Sequence, residues 1–253
     1  MNISPKKAIV ATHHLLDGPF EGGIHYFYQY FKSRKYQTTF ITQPLSPRLF
    51  ITDLGSFYKK LWRVKSSIDH IVHFTPVYPQ SVFGPFRKYL FDKYLKIPFF
   101  DIDKKLTGFG LTRPDILLCE ASLALSVRFS TSPKKYIIRF SDSMIDLGHK
   151  KDIVDFFIQQ ALSADLVLVA AEGIKNELIG FGVNPSIIVA LPNGVDLSRY
   201  ERNYEKPDAY QYFSGPIAVY VGNTEIIDHE LLKYSAIQLP HVTFFIIGPY
   251  KKQ

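Results

Sequence analysis

Short apolar runs alternate with segments of helical period along most of the chain. Residues 6–12 (KKAIVAT) form a mostly apolar run that predicts a first buried strand. A loop over residues 13–23 follows, with glycines at 18, 22 and 23. Residues 24–31 (IHYFYQYF) predict an aromatic-rich helix and residues 37–42 (QTTFIT) a second strand, giving a β–loop–α–β unit. Residues 44–114 are less regular. Within them, 71–74 read as a strand, and 86–97 have helical period with Tyr89, Leu90, Tyr94 and Ile97 on one side.

Beyond that stretch the alternation is plain. Strands are predicted at 115–119 (DILLC), 135–140 (KYIIRF), 165–170 (DLVLVA) and 186–191 (SIIVAL). Helices are predicted at 121–129, 153–162 and 172–180, the last ended by Gly180. After a polar, tyrosine-rich segment the pattern restarts with a strand at 216–222, a helix at 228–238 and a strand at 242–248. Such alternation predicts an α/β protein whose parallel sheet is covered on both faces. The expected organisation is a first domain over 1–197, a linker over 198–214 and the start of a second domain over 215–253. About forty residues hold one βαβ unit, too little to bury both faces of a sheet alone.

Composition removes several classes. Charged residues make up 21% and hydrophobic residues 46% of the 253 positions, near the globular average. No apolar run reaches the roughly 18 residues of a spanning helix. The first residues lack the apolar core of a signal peptide, so the expected compartment is the cytoplasm. One cysteine, Cys119, rules out an intrachain disulfide and a cysteine-based zinc site. The formal charge of +7 is unevenly spread: residues 44–105 carry 11 Lys or Arg against 5 Asp and no Glu. That basic block also holds much of the chain's 15% aromatic content, which predicts an anionic partner.

The candidate chemistry lies at strand ends and turns. Gly22 and Gly23 precede a helix whose N-terminal N–H groups suit an anion, though the loop is too long for a dinucleotide fingerprint and equally reads as a connector. His13, His14 and His25 surround it, but their spacing is not the i, i+4 pair of a zinc helix, and no metal is expected. Arg139-Phe140-Ser141-Asp142 closes a parallel strand, where ligands of open α/β sheets bind. Asp142 there is either a general base or a turn cap. Glu172 follows the next strand and reads as a helix-dipole partner or a site residue. Leu191-Pro192-Asn193-Gly194-Val195-Asp196 carries an Asn-Gly turn signal between the two predicted domains. Arg87, Lys88, Lys93 and Lys96 lie among Phe, Tyr and Leu in a segment that suits an anionic membrane surface or is a solvated helix face. No nucleic-acid motif accompanies them.

The segment 191–196 (LPNGVD), followed by the strand AVYVGN at 218–223 and Ile247-Gly248-Pro249, resembles the inter-domain passage of GT-B glycosyltransferases. Gly22-Gly23-Ile24-His25 is similar to the glycine loop of the same superfamily, and the resemblance runs over essentially the whole chain. The elements Arg139–Asp142 and Ala171-Glu172-Gly173 resemble the membrane-associated glucuronosyltransferases of exopolysaccharide assembly, and the chain as a whole is similar to family-4-like glycosyltransferases. The resemblance implies a GT-B-like fold with a Rossmann-like N-terminal domain and the first βαβ unit of a second. It implies inverting, metal-independent transfer from a nucleotide sugar, a UDP-sugar, to a lipid-linked or saccharide acceptor at the inner face of the membrane.

On that resemblance Asp142 is the catalytic base. Gly22, Gly23 and His25 shape the acceptor side of the cleft, and Glu172, Asn193, Gly194 and Asp196 form a hinge and cleft floor. The second domain is shorter than in the superfamily, which implies an incomplete donor site in this chain. A nucleotide-sugar 2-epimerase and a non-catalytic acceptor-binding module are the alternatives.

Overall fold

A computed structural model of the chain describes residues 5–17, 22–45, 67–74, 102–195, 197–201 and 203–248. The chain forms two compact units, Met1–Gly194 and Val195–Gln253. The segment with Arg87, Lys88, Lys93 and Lys96 lies outside the described residues, as does Asp196.

Unit one is built on a parallel sheet of seven described strands. They are β1 (Lys7–Thr12), β2 (Gln37–Leu45), β3 (His70–Phe74), β4 (Ile116–Glu120), β5 (Lys135–Phe140), β6 (Leu166–Val169) and β7 (Ile188–Ala190). Their order is β3-β2-β1-β4-β5-β6-β7. The chain winds outward from β1 to β3, then returns to the other side of β1 to lay down β4. Thus β1 and β4 are neighbours, in register Ala11 to Cys119, although more than a hundred residues separate them. This reversal of winding leaves a crevice at the strand C-termini, the usual ligand position of such sheets.

The period of two along each strand sorts side chains between two cores. Ala8, Val10, Phe40 and Leu118 face helix α1 (Gly23–Ser33), which contributes Ile24, Tyr28 and Phe31. Ile9, Ala11, Ile41, Leu117, Ile138, Phe140 and Val167 face the other way. There they meet α2 (Ile102–Gly108), α3 (Lys151–Leu162) and α4 (Glu172–Gly180) through Leu106, Phe157 and Leu178. Both faces are therefore covered, as the continuous apolar strands predict.

Two elements differ from the sequence expectation. Residues 123–130 form a 3-10 helix rather than an α-helix. The Ser122 hydroxyl accepts the N–H of Ala124 and the Thr131 hydroxyl donates to the carbonyl of Val127, so local side-chain bonds hold both ends of the segment. The edge strand β7 is shorter than expected. Asn184 and Pro185 open a 3-10 turn, with the Asn184 side chain accepting the N–H of Ser186.

At the N-terminal edge of the sheet, Asp115 accepts the main-chain N–H of Lys7 and Asp165 that of Tyr136, each at 2.7 Å. These carboxylates are accounted for by backbone donors that would otherwise lack partners.

Unit two holds one parallel pair, β8 (Ile217–Val221) with β9 (Thr243–Ile247), joined through α6 (His229–Gln238). The Asp228 side chain caps α6 by accepting the Leu231 N–H at 2.9 Å. Before it, a one-turn helix α5 (Asp208–Gln211) brings Tyr210 onto Phe245, ring centroids 4.6 Å apart, and Phe213 packs on the same ring at 5.3 Å. Among the described residues no helix is long and apolar enough to cross a membrane.

Candidate functional site

The C-terminal ends of β1, β4 and β5 and the N-terminus of α1 surround a cleft of about 530 Å³ in unit one. β1 ends at Thr12 and delivers His13 and His14 to its rim. β4 ends at Glu120, and β5 carries Arg139 before releasing Ser141 and Asp142. Gly22, Gly23 and Asn193 complete the described lining on the α1 side.

Glu120 is the centre of this arrangement, with only 6% of its surface exposed. One carboxylate oxygen accepts the Thr12 hydroxyl and lies 3.3 Å from His13 Nδ1 and 3.7 Å from His14 Nε2. The other accepts the Ser141 hydroxyl at 2.9 Å and lies 3.7 Å from Arg139 Nη1. Burial alone would push the carboxyl up. Hydrogen bonds from His13 and Thr12, with the charges of His13 and His14, outweigh that and hold it down at about 2. His14 is shifted below the usual imidazole range, first by burial and then by the neighbouring His13.

Arg139 is equally buried, at 2% exposure. It shares the α1-facing side of β5, and its guanidinium lies 5.8 Å from the Phe27 ring centre. One terminal nitrogen donates to Ser141 Oγ, the other to Asn193 Oδ1. Two buried opposite charges with this many hydrogen bonds are compatible with the interior; either one alone would be costly.

This cluster explains Gly23. A Cβ there would sit 2.5 Å from Asn193 Oδ1 and 2.7 Å from Arg139 Nη2, so a side chain at this position would have to displace that hydrogen-bonded pair.

The residues expected from sequence are distributed as follows. Gly22, Gly23, Asp142 and Asn193 line the one cleft. His25 is buried beneath the loop: its Nδ1 accepts the Gly22 N–H at 3.1 Å, and its Nε2–H donates to the Leu15 carbonyl at 2.9 Å. The ring ties the loop to the helix start. Gly194 is exposed, with nothing within 4 Å of a Cβ built on it. The Glu172 side chain pairs with Lys175 at 3.5 Å in the first turn of α4, outside the cleft lining. The flanking residues Ala171 and Gly173 instead border a more open depression of about 770 Å³ that also reaches Asp142.

Glu120 is not among the residues that the sequence motifs single out, although one acidic residue ending the apolar run ILLC is a visible signal. In sequence, Arg139 reads only as part of a strand end. Of the three histidines around the loop, the structure groups His13 and His14 with Glu120. Their nearest nitrogen and oxygen atoms all lie within 4.8 Å of one another.

No family model and no curated protein sequence matches the chain. Solved structures do. A structure of Anabaena HepE in complex with UDP and glucose has a TM-score of 0.55 at 11% identity, covering 94% of this chain and 59% of that one. HepE in complex with UDP has a TM-score of 0.51 at 11% identity, covering 96% of this chain and 69% of that one. The chain thus spans well under two thirds of the length of the first of these. At such identity the likeness is one of fold, and it is the GT-B-like α/β architecture that the strand order and the restarting βαβ unit display.

Proposed function

We propose that this chain takes part in glycosyl transfer from a nucleotide sugar to an acceptor hydroxyl, with His13 as the base and Glu120 as the group that positions it. The observation that carries the reading is an imidazole at the rim of the cleft, backed by a buried carboxylate that stays ionised. In the neutral ring, Nδ1–H donates to Glu120 and the lone pair of Nε2 is left for a substrate proton. The side chain of His13 is 53% exposed, so a ligand in the cleft reaches it without rearrangement.

The step is a single displacement. Nε2 takes the acceptor hydroxyl proton as the oxygen bonds to the anomeric carbon. The bond from that carbon to the diphosphate oxygen breaks, and its electron pair leaves with the nucleoside diphosphate. The Gly22–Gly23 helix start contributes positive potential to the cleft. Asp142 lines the same cleft and is the second candidate for the base, as the resemblance implies. A UDP-sugar donor is supported by the fold shared with HepE, whose structures contain UDP. The basic, aromatic segment with Arg87, Lys88, Lys93 and Lys96 supports a lipid-linked acceptor at an anionic membrane surface.

The test is release of UDP from UDP-glucose and UDP-glucuronate by the full chain, with membrane extract as acceptor source, for wild type, His13→Ala and Asp142→Asn. Transfer that falls at least about a hundredfold in His13→Ala supports the reading. A loss confined to Asp142→Asn moves the base to Asp142. No transfer by a folded wild-type chain overturns catalysis by this chain and leaves acceptor binding. Interconversion of UDP-sugar epimers without transfer favours an epimerase.

A further inference from the structure

We propose that His13, His14 and Glu120 form a binding site for one divalent transition-metal ion of the zinc class, open on its fourth side to the cleft. Three features support it. The first is distance. A tetrahedral ion with bonds of about 2.1 Å needs its ligand atoms about 3.4 Å apart. Glu120 Oε2 lies 3.3 Å from His13 Nδ1 and 3.7 Å from His14 Nε2, and the whole set fits within 4.8 Å. The third edge, between the two imidazole nitrogens, lies within 4.8 Å, and side-chain rotation of the half-exposed His13 is what closes it on an ion.

The second is the chemistry of the set. Two imidazoles and one carboxylate suit zinc, cobalt or nickel, whereas magnesium and calcium favour all-oxygen shells. The third is support from behind. The Thr12 and Ser141 hydroxyls both donate to the Glu120 carboxylate, and the His14 main-chain N–H donates to Thr12 Oγ1 at 3.2 Å. Partners of this kind fix the orientation of metal-ligating side chains. Three protein ligands with one free position is the arrangement that admits a water or a substrate oxygen.

The site has a consequence for the proposed reaction, and this part rests on His13 being the base. A metal on Nδ1 takes the lone pair there and leaves the ring proton on Nε2. Nε2 then has no lone pair to receive the acceptor proton. Zinc is therefore expected to inhibit transfer while it occupies the three ligands.

Binding is tested separately from activity. The full chain is titrated with zinc by calorimetry and with cobalt by visible absorption, in wild type, His13→Ala, His14→Ala, Glu120→Gln and the control His241→Ala, with circular dichroism on each. The expected result is one equivalent of zinc and a four-coordinate cobalt spectrum. Both weaken at least about tenfold in each ligand variant and hold in His241→Ala. His13 is half exposed, so its alanine variant keeps the fold even where Glu120→Gln does not. Absence of binding, or binding unchanged in folded His13→Ala, overturns the site. Binding without inhibition of a measurable transfer keeps the site and removes His13 as the base.

Discussion

Replacing Glu120 with Gln removes one charge from a pair in which both members are buried. Arg139 keeps its hydrogen bonds to Ser141 and Asn193 but loses its countercharge 3.7 Å away. Breaking a buried pair from one side costs about 3–5 kcal/mol. A second contribution of similar size comes from the other partners of the carboxylate, Thr12, His13 and His14. The carboxyl sits at about 2 in the folded chain against 4.5 for a free glutamate, and each pH unit of that difference is worth about 1.4 kcal/mol, or about 3 kcal/mol in all.

The sign follows from the depressed value. Above pH 4.5 both states are ionised and the contribution is fully present. Between pH 4.5 and about 2 the unfolded chain binds the proton first, and stability falls; below about 2 the contribution is gone. Urea unfolding followed by far-ultraviolet circular dichroism, in chelator-containing buffer, measures both effects. The variant is expected to lose about 3 kcal/mol at pH 7 and to show a shallower fall between pH 4.5 and 3 than wild type. A loss under about 1 kcal/mol with parallel pH profiles would refute the view that Glu120 is held ionised by its neighbours.

Gly23→Ala places a Cβ within 2.7 Å of both Asn193 Oδ1 and Arg139 Nη2; a loss of about 1–3 kcal/mol is expected in the same assay, and an unchanged midpoint would show that the cluster yields freely. His25→Phe keeps an aromatic ring, somewhat larger, but removes both loop hydrogen bonds. Faster amide exchange at Gly22 is expected, and unchanged protection would release His25 from its loop-holding role. Changing Arg87, Lys88, Lys93 and Lys96 together to Gln is expected to weaken binding to anionic vesicles, most at low salt, and unaltered partitioning would remove the membrane surface as a partner.

Much of this fold is legible along the chain because its signals are local. A run such as KAIVAT or DLVLV is apolar at consecutive positions only where both faces of a strand are covered. Gly182, two residues past the end of its helix, takes a left-handed φ of 88° that no partner has to supply. The renewed strand at 217–221 likewise announces a second unit without reference to the first.

The site is a different matter. Glu120 looks like the polar end of a buried strand until the return crossing sets β4 against β1 and brings Thr12, His13 and His14 onto its oxygens. Arg139 and Asn193, 54 positions apart, meet over Gly23 only because α1 starts where their strands end. His25 opens the predicted helix while His13 and His14 open the loop, but their side-chain roles cannot be told apart from sequence. Helix phase alone turns His25 under the loop, while the other two stay at the rim. Strand and helix period are properties of neighbours in sequence, so one chain displays them. Charge pairing, the depressed carboxyl and the convergence of three ligand atoms depend on distances across the sheet, and strand order sets those.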